Sequence, residues 1–156
     1  MPELDDTFTR LLNQYSSVFS TTTHTALTCS ELRQLVPRNV TGVYIVKSTS
    51  DNGRVLYIGS SGKIHKGMAS SGSSIRNRMF GSSTPYRFNN HTNTFCYGPT
   101  TSGVPPEGYT SEVPVCEIRV TCLSVANPKA PSALEHLLLQ GHITEFHDLP
   151  DANQKI

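Results

Sequence analysis

Between Asn52 and Pro106 the chain has no acidic residue, yet Arg54, Lys63, Lys66, Arg76, Arg78 and Arg87 all fall inside that window. The formal net charge is only +1, so the rest of the chain is correspondingly acidic. Segregated cations are what phosphate binding needs, because displacing condensed counterions supplies most sequence-independent affinity for a polyanion. Overlapping the window is GVYIVKSTSDNGRVLYIGSSG, residues 42 to 62, in which Tyr44 and Tyr57 lie in two apolar runs beside Gly42 and Gly59. Two nearby patterns do not reach a known chemistry. GSSGK at 59 to 63 lacks the earlier glycine and the following hydroxyl of a phosphate-binding loop, since Tyr57 and Ile64 stand there. His136, His142 and His147 are six and five residues apart, which does not align two of them at i, i+4 for a zinc site.

The elements that must position these residues are legible in outline. Asp5 to Phe19 carries Phe8, Leu11, Leu12, Tyr15, Val18 and Phe19 at helical spacing. Thr28 followed by Glu31, flanked by Leu27 and Leu32, has the form of a capping box with a hydrophobic staple, so a second helix should run to Val36 and end before Pro37. Residues 42 to 47 and 54 to 58 read as strands of an antiparallel hairpin around Asp51-Asn52-Gly53. Ser60 to Ser74 reads as loop, and Ser74 to Phe80 as a short helix with Ile75 and Met79 on its buried side and Arg78 bordering it. Gly81 to Glu112 reads as a long connection, of the kind that in compact domains usually serves function. Residues 113 to 125 alternate so that Cys116, Ile118, Val120 and Cys122 share one face of a strand. Pro128 and Pro131 suit the start of a last helix through ALEHLLLQGHITEF, with Glu135 in its first turns.

The elements GVY (Gly42 to Tyr44) and YIG (Tyr57 to Gly59), an arginine on a helix (IRNRM), a glutamate on a later helix (ALEHLLL) and a terminal asparagine (LPDANQ) resemble the GIY-YIG nuclease family. The resemblance spans Val36 to Asn153, and the pattern Ile-x-x-Arg selects Arg78 over Arg76. Departures are Val43 for isoleucine, an inserted KIHKGMASSGSS between Gly59 and Arg78, and a longer interval from Glu135 to Asn153. The fold expected is α+β, a small, mainly antiparallel three-stranded sheet (42 to 47, 54 to 58, 113 to 123) flanked by helices. Residues 1 to 40 would form an N-terminal helical extension, and 60 to 74 and 81 to 112 inserted loops.

Phosphodiester hydrolysis requires a nucleophilic water, neutralisation of charge on the phosphoryl oxygens and stabilisation of the leaving 3′ oxygen. The resemblance implies that Glu135 binds one Mg²⁺ or Mn²⁺, and that Tyr44 positions or deprotonates the water. Phenols titrate at about 10, a value that neighbouring cations lower. Arg78 would clamp the scissile phosphate, Tyr57 would hydrogen-bond the phosphate or the water, and Asn153 would orient a neighbouring group. Lys63, His65, Lys66, Arg76 and Arg87 are candidate DNA contacts outside the catalytic centre, and His65 and His91 are candidates to assist proton transfer. The partner expected is double-stranded DNA, cut at a specific site as stand-alone restriction-type members do. A palindromic site would call for a two-fold homodimer. The competing reading is a catalytically silent nucleic-acid-binding module on the same fold, which an intact set of Tyr44, Tyr57, Arg78 and Glu135 argues against. Repair and homing nucleases normally bring additional domains.

Composition bounds these readings. A chain of 156 residues at 36% hydrophobic supports one modest core, so a single domain is expected. The start MPELDDTFTR lacks a basic and apolar leader, and no apolar run approaches the ~18 residues of a membrane span, so a cytoplasmic protein is expected. Cys29, Cys96, Cys116 and Cys122 include no C-x-x-C pair and should be reduced and buried.

Overall fold

The computed structural model describes Arg10 and residues 20–37, 40–50, 53–61, 64–65, 68–69, 74–80, 88–97, 111–125, 130–146, 150 and 153. The elements are β1 (Ser20–His24), α1 (Cys29–Leu35), β2 (Gly42–Ser48), β3 (Val55–Ser60), β4 (Ile64–His65) and β5 (Met68–Ala69). They continue with α2 (Ile75–Phe80), β6 (Phe88–Asn89), β7 (Thr94–Tyr97), β8 (Ser111–Pro114), a 3-10 turn (Val115–Glu117), β9 (Ile118–Ser124) and α3 (Ala130–Phe146). The fold class is α+β. β1, β9, β2 and β3 form a four-stranded antiparallel sheet in that order, β6, β7 and β8 form a second antiparallel sheet of three, and β4 pairs with β5.

The β2–β3 hairpin forms where the sequence places it. Gly53, at φ 72, supplies the left-handed residue of its turn. The Ser48 N–H donates to the Arg54 carbonyl at 2.8 Å. Pairing Tyr44 with Gly59 and Val46 with Tyr57 puts those four residues on one face, while Leu56 is the extra residue of a bulge before Val55 meets Lys47. Unlike a strand with one wet face, β2 is buried from Val43 through Val46 without alternation, because both faces of its sheet are covered. On one face Tyr44, Val46, Val120 and Cys122 pack with residues of α1, α2 and the three-stranded sheet. On the other, Val43, Ile45, Ile58 and Leu123 pack against Leu134 and Leu138 of α3.

Four expectations need correction. The sheet has a fourth strand, β1, whose STTTH sequence is almost wholly exposed and offers no apolar alternation to reveal it; its backbone pairs with β9 along its length. The strand expected over residues 113 to 125 is two strands in different sheets. Pro114 ends β8, having no N–H for a ladder, the 3-10 turn redirects the chain, and the Val115 N–H goes to the Asn93 carbonyl. Cys116 is consequently exposed, while Ile118, Val120 and Cys122 remain buried. The stretch 81 to 112 is not only a connection, since it contributes β6, β7 and the first half of β8. Its hairpin turns on Asn89, whose Oδ1 accepts from the His91 N–H at 2.9 Å, and on Asn93 at φ 54. Likewise the stretch 60 to 74 contains the β4–β5 pair.

In the N-terminal region, the helix expected over Asp5 to Phe19 lies outside the described residues apart from Arg10, which is helical. α1 is capped as expected by Thr28, whose Oγ1 accepts from the Glu31 N–H at 3.2 Å. The returning bond differs: the Glu31 carboxylate accepts from the Leu27 N–H, one residue before the cap, at 2.9 Å. Leu27 is 73% exposed, so it does not staple onto buried Leu32. No helix among the described residues is long and apolar enough to cross a membrane.

Candidate active site at the end of strand β3

Both tyrosines of the opening stretch lie on one face of the four-stranded sheet, with ring centroids 5.7 Å apart and planes tilted by 46°. Tyr44 is buried and Tyr57 half-buried against the same core. Gly59 explains the arrangement. A Cβ there would stand 2.5 Å from Tyr44 Cζ, 2.6 Å from its hydroxyl oxygen and 2.7 Å from Tyr57 Cε2. The rings occupy the space a side chain would take, so the glycine is the floor on which both phenols rest. Gly42 has a different reason to be glycine: a Cβ would collide with the Leu123 carbonyl of the adjacent strand. Ser61 ties the ends of the two motifs together. Its N–H donates to the Gly42 carbonyl at 2.8 Å, and its buried Oγ accepts from the Gly42 N–H at 3.1 Å.

Glu135 reaches the same strand end from α3, the helix packed on the opposite face. Ser60 Oγ donates to Glu135 Oε2 at 2.6 Å, and Ser60 directly follows Gly59. The register Leu134–Glu135–Leu138 makes this placement possible, because Leu134 and Leu138 are buried one turn apart and Glu135 borders them half-buried. The carboxylate is therefore brought to the end of β3 against which the tyrosines rest on the other face, with Ser60 rather than a phenol as its hydrogen-bond partner.

Asn153 also converges on β3. Its Oδ1 accepts from the Ile58 N–H and its Nδ2 donates to the Ile58 carbonyl, both at 2.8 Å. Among the described residues β3 pairs only with β2, so these are outward-facing groups of an edge strand, and the carboxamide satisfies them as a neighbouring strand would. The C-terminal asparagine is thus fixed one residue from Gly59 in the chain.

Arg78 lies on α2 between Ile75 and Met79, which are buried in the core that holds the tyrosines; its side chain lies outside the described residues. Arg76 has a task that charge alone did not reveal. Its Nε and Nη2 donate to the Val36 carbonyl at 3.2 and 2.8 Å, and Nη2 also donates to the Gln34 carbonyl at 3.0 Å. These are carbonyls at the C-terminal end of α1, where a guanidinium is favoured both as donor and as cation. Arg76 is therefore a cap of α1. Lys63, Lys66 and Arg87 lie outside the described residues, as does the side chain of His65, whose backbone belongs to β4. His91 is exposed in the β6–β7 turn.

No family model, curated protein or solved structure matches the chain.

A metal ion at this site would have few protein ligands. Among the described residues no group of three or more His, Cys, Asp or Glu is assembled to hold one. A single half-buried carboxylate beside a hydroxyl fits a hard cation such as Mg²⁺, which keeps much of its water and takes oxygen ligands from a substrate phosphate. It does not fit a zinc site. Sequence reasoning missed Ser60 and Ser61; the signal was the pair of hydroxyls directly after YIG, which reads locally as the start of a loop. The buried thiols belong to the scaffold: burial pushes Cys122 up to about 12 and, with Cys96 nearby, Cys29 up to about 11.

Proposed function

We propose that this protein is a divalent-metal-dependent endonuclease that hydrolyses phosphodiester bonds in double-stranded DNA at specific sites. The observation that carries the reading is the convergence on the end of β3: two tyrosine rings on Gly59, and a carboxylate hydrogen-bonded to the next residue, Ser60. Tyrosines in strands and glutamates on helices are common separately. Here the rings rest on bare Gly59 from one face of the sheet, and the carboxylate reaches the adjoining Ser60 from the other.

In the proposed reaction a water attacks phosphorus, the bond to the 3′ oxygen breaks, and the leaving oxygen takes a proton from solvent. Tyr44 orients the attacking water and, as its phenolate, takes the water's proton to become the neutral phenol. Tyr57 hydrogen-bonds the phosphate or the water, and Arg78 clamps two phosphoryl oxygens with its planar donor fork. Asn153 acts through the backbone of Ile58, fixing the strand that carries Gly59. Glu135 would hold Mg²⁺ or Mn²⁺, which when bound neutralises charge on the phosphoryl group and the leaving oxygen. Lys63, His65, Lys66 and Arg87, in the window without acidic residues, would contact the DNA backbone.

The experiment is incubation of the purified protein with long duplex DNA and Mg²⁺, with a chelator as control. Discrete fragments that vanish with the chelator are expected. Retardation of the DNA without cleavage would instead support a silent binding module. Fragments of fixed sequence context with both strands cut would further call for a two-fold dimer.

A further inference from the structure

We infer that Ser60 is a positioning residue for metal binding, holding the Glu135 carboxylate so that its other oxygen is presented to the cation. The inference rests on the reading of Glu135 as a metal ligand. Its geometric basis is the 2.6 Å bond from Ser60 Oγ to Glu135 Oε2, a short charge-assisted hydrogen bond between side chains on two different elements.

A glutamate has three side-chain torsions, and an unrestrained one must be ordered when an ion binds. Ser60 removes part of that cost in advance. It is the last residue of β3, paired with Val43 of β2, so its own backbone is fixed by the ladder. The following residue, Ser61, is buried and hydrogen-bonded to Gly42, which holds the chain just beyond Ser60 as well. On the other side, Leu134 and Leu138 fix the turn of α3 that bears Glu135. Both ends of the hydrogen bond are thereby anchored in the same core. Because Gly59 immediately precedes Ser60, the strand that seats the phenols is also the strand that aims the carboxylate. This couples the two halves of the site through one dipeptide.

Partners of this kind behind a metal-binding carboxylate typically change metal affinity by about 10- to 100-fold when removed. A purely structural bond tying α3 to β3 would alter thermal stability and leave metal affinity unchanged. The test is therefore Mn²⁺ binding by the full-length protein without DNA, followed by electron paramagnetic resonance, for wild type, Ser60→Ala, Ser60→Thr and Glu135→Gln. Melting temperatures are recorded on the same samples, and the Mg²⁺ concentration for half-maximal DNA cleavage is measured alongside. Expected is weaker Mn²⁺ binding by about tenfold in Ser60→Ala, recovery in Ser60→Thr through the retained hydroxyl, and loss in Glu135→Gln. The Mg²⁺ requirement for cleavage should rise in Ser60→Ala by a similar factor. Wild-type Mn²⁺ affinity in Ser60→Ala, with binding lost in Glu135→Gln, would overturn the role of Ser60 and leave the nuclease reading standing. Binding unaltered by Glu135→Gln, or undetectable in the wild type, would overturn both.

Discussion

Gly42 and Gly59 occupy matching places in the two motifs, yet their neighbours differ in what they can give. At Gly59 an added methyl meets the outer atoms of Tyr44 and Tyr57, which can move at the cost of leaving their packing; at Gly42 it meets the Leu123 carbonyl, which is part of a strand ladder. Gly59→Ala is thus expected to fold with a loss of about 1–3 kcal/mol, the usual scale for overpacking. Its DNA cleavage should fall far more than that loss of stability implies, because both phenols are displaced. Gly42→Ala should be the more destabilising, since relieving its contact requires strand separation. Chemical denaturation together with a cleavage assay checks both. Equal destabilisation by the two changes would show that the rings, too, are unable to move. From the sequence it was legible that two tyrosines and two glycines share a hairpin, since the Asp51-Asn52-Gly53 turn sets the pairing. That one glycine serves the rings and the other a neighbouring strand was not, because the second fact depends on β9, which comes more than sixty residues later.

Elements were recognised where local pattern and tertiary role agree. The Thr28 cap, the β2–β3 hairpin and the last helix all carry their own signals. Strand β1 carries none, being polar and exposed along an edge, and between β8 and β9 alternation runs across Pro114 without revealing the change of sheet. Arg76 is the instructive case for charge. A cation in a basic window reads as a phosphate contact, but the chain brings α1 and α2 together and gives its guanidinium the carbonyls of Val36 and Gln34. Arg76→Ala should accordingly lower the unfolding free energy by about 1–2 kcal/mol, near the lower range for hydrogen bonds to a charged group because part of this cap is exposed. The slope of DNA affinity against salt concentration should not change. A slope reduced by about one without loss of stability would restore Arg76 to the DNA interface.

For the whole molecule, the burial of the thiols makes stability depend on pH at the alkaline end. Cys122 and Cys29 are raised from 9.0 to about 12 and about 11, so above pH 9 the unfolded chain gives up these protons before the folded one does. Their contribution is therefore fully present below pH 9 and is lost as pH climbs through 11 and 12. Melting temperature should fall across that window, and replacing both cysteines with alanine should reduce the slope. Differential alkylation of the native protein offers a companion check: Cys116, exposed by the 3-10 turn, should be modified first, with Cys29, Cys96 and Cys122 protected until unfolding. Rapid modification of Cys122 in the native protein would contradict the two-sided burial of the central sheet.

That two-sided sheet is what lets α3 deliver a carboxylate to the strand end where the tyrosines rest from the other face. The most direct test of the proposed activity is cleavage of duplex DNA by Glu135→Gln in saturating Mg²⁺, with DNA binding measured on the same preparation. The substitution keeps the side chain's shape and an acceptor for Ser60 while removing the charge. Under the proposed reading, cleavage falls by orders of magnitude and binding survives, because the basic segment is untouched. Cleavage near the wild-type rate would contradict it and leave Glu135 as a tie between α3 and β3.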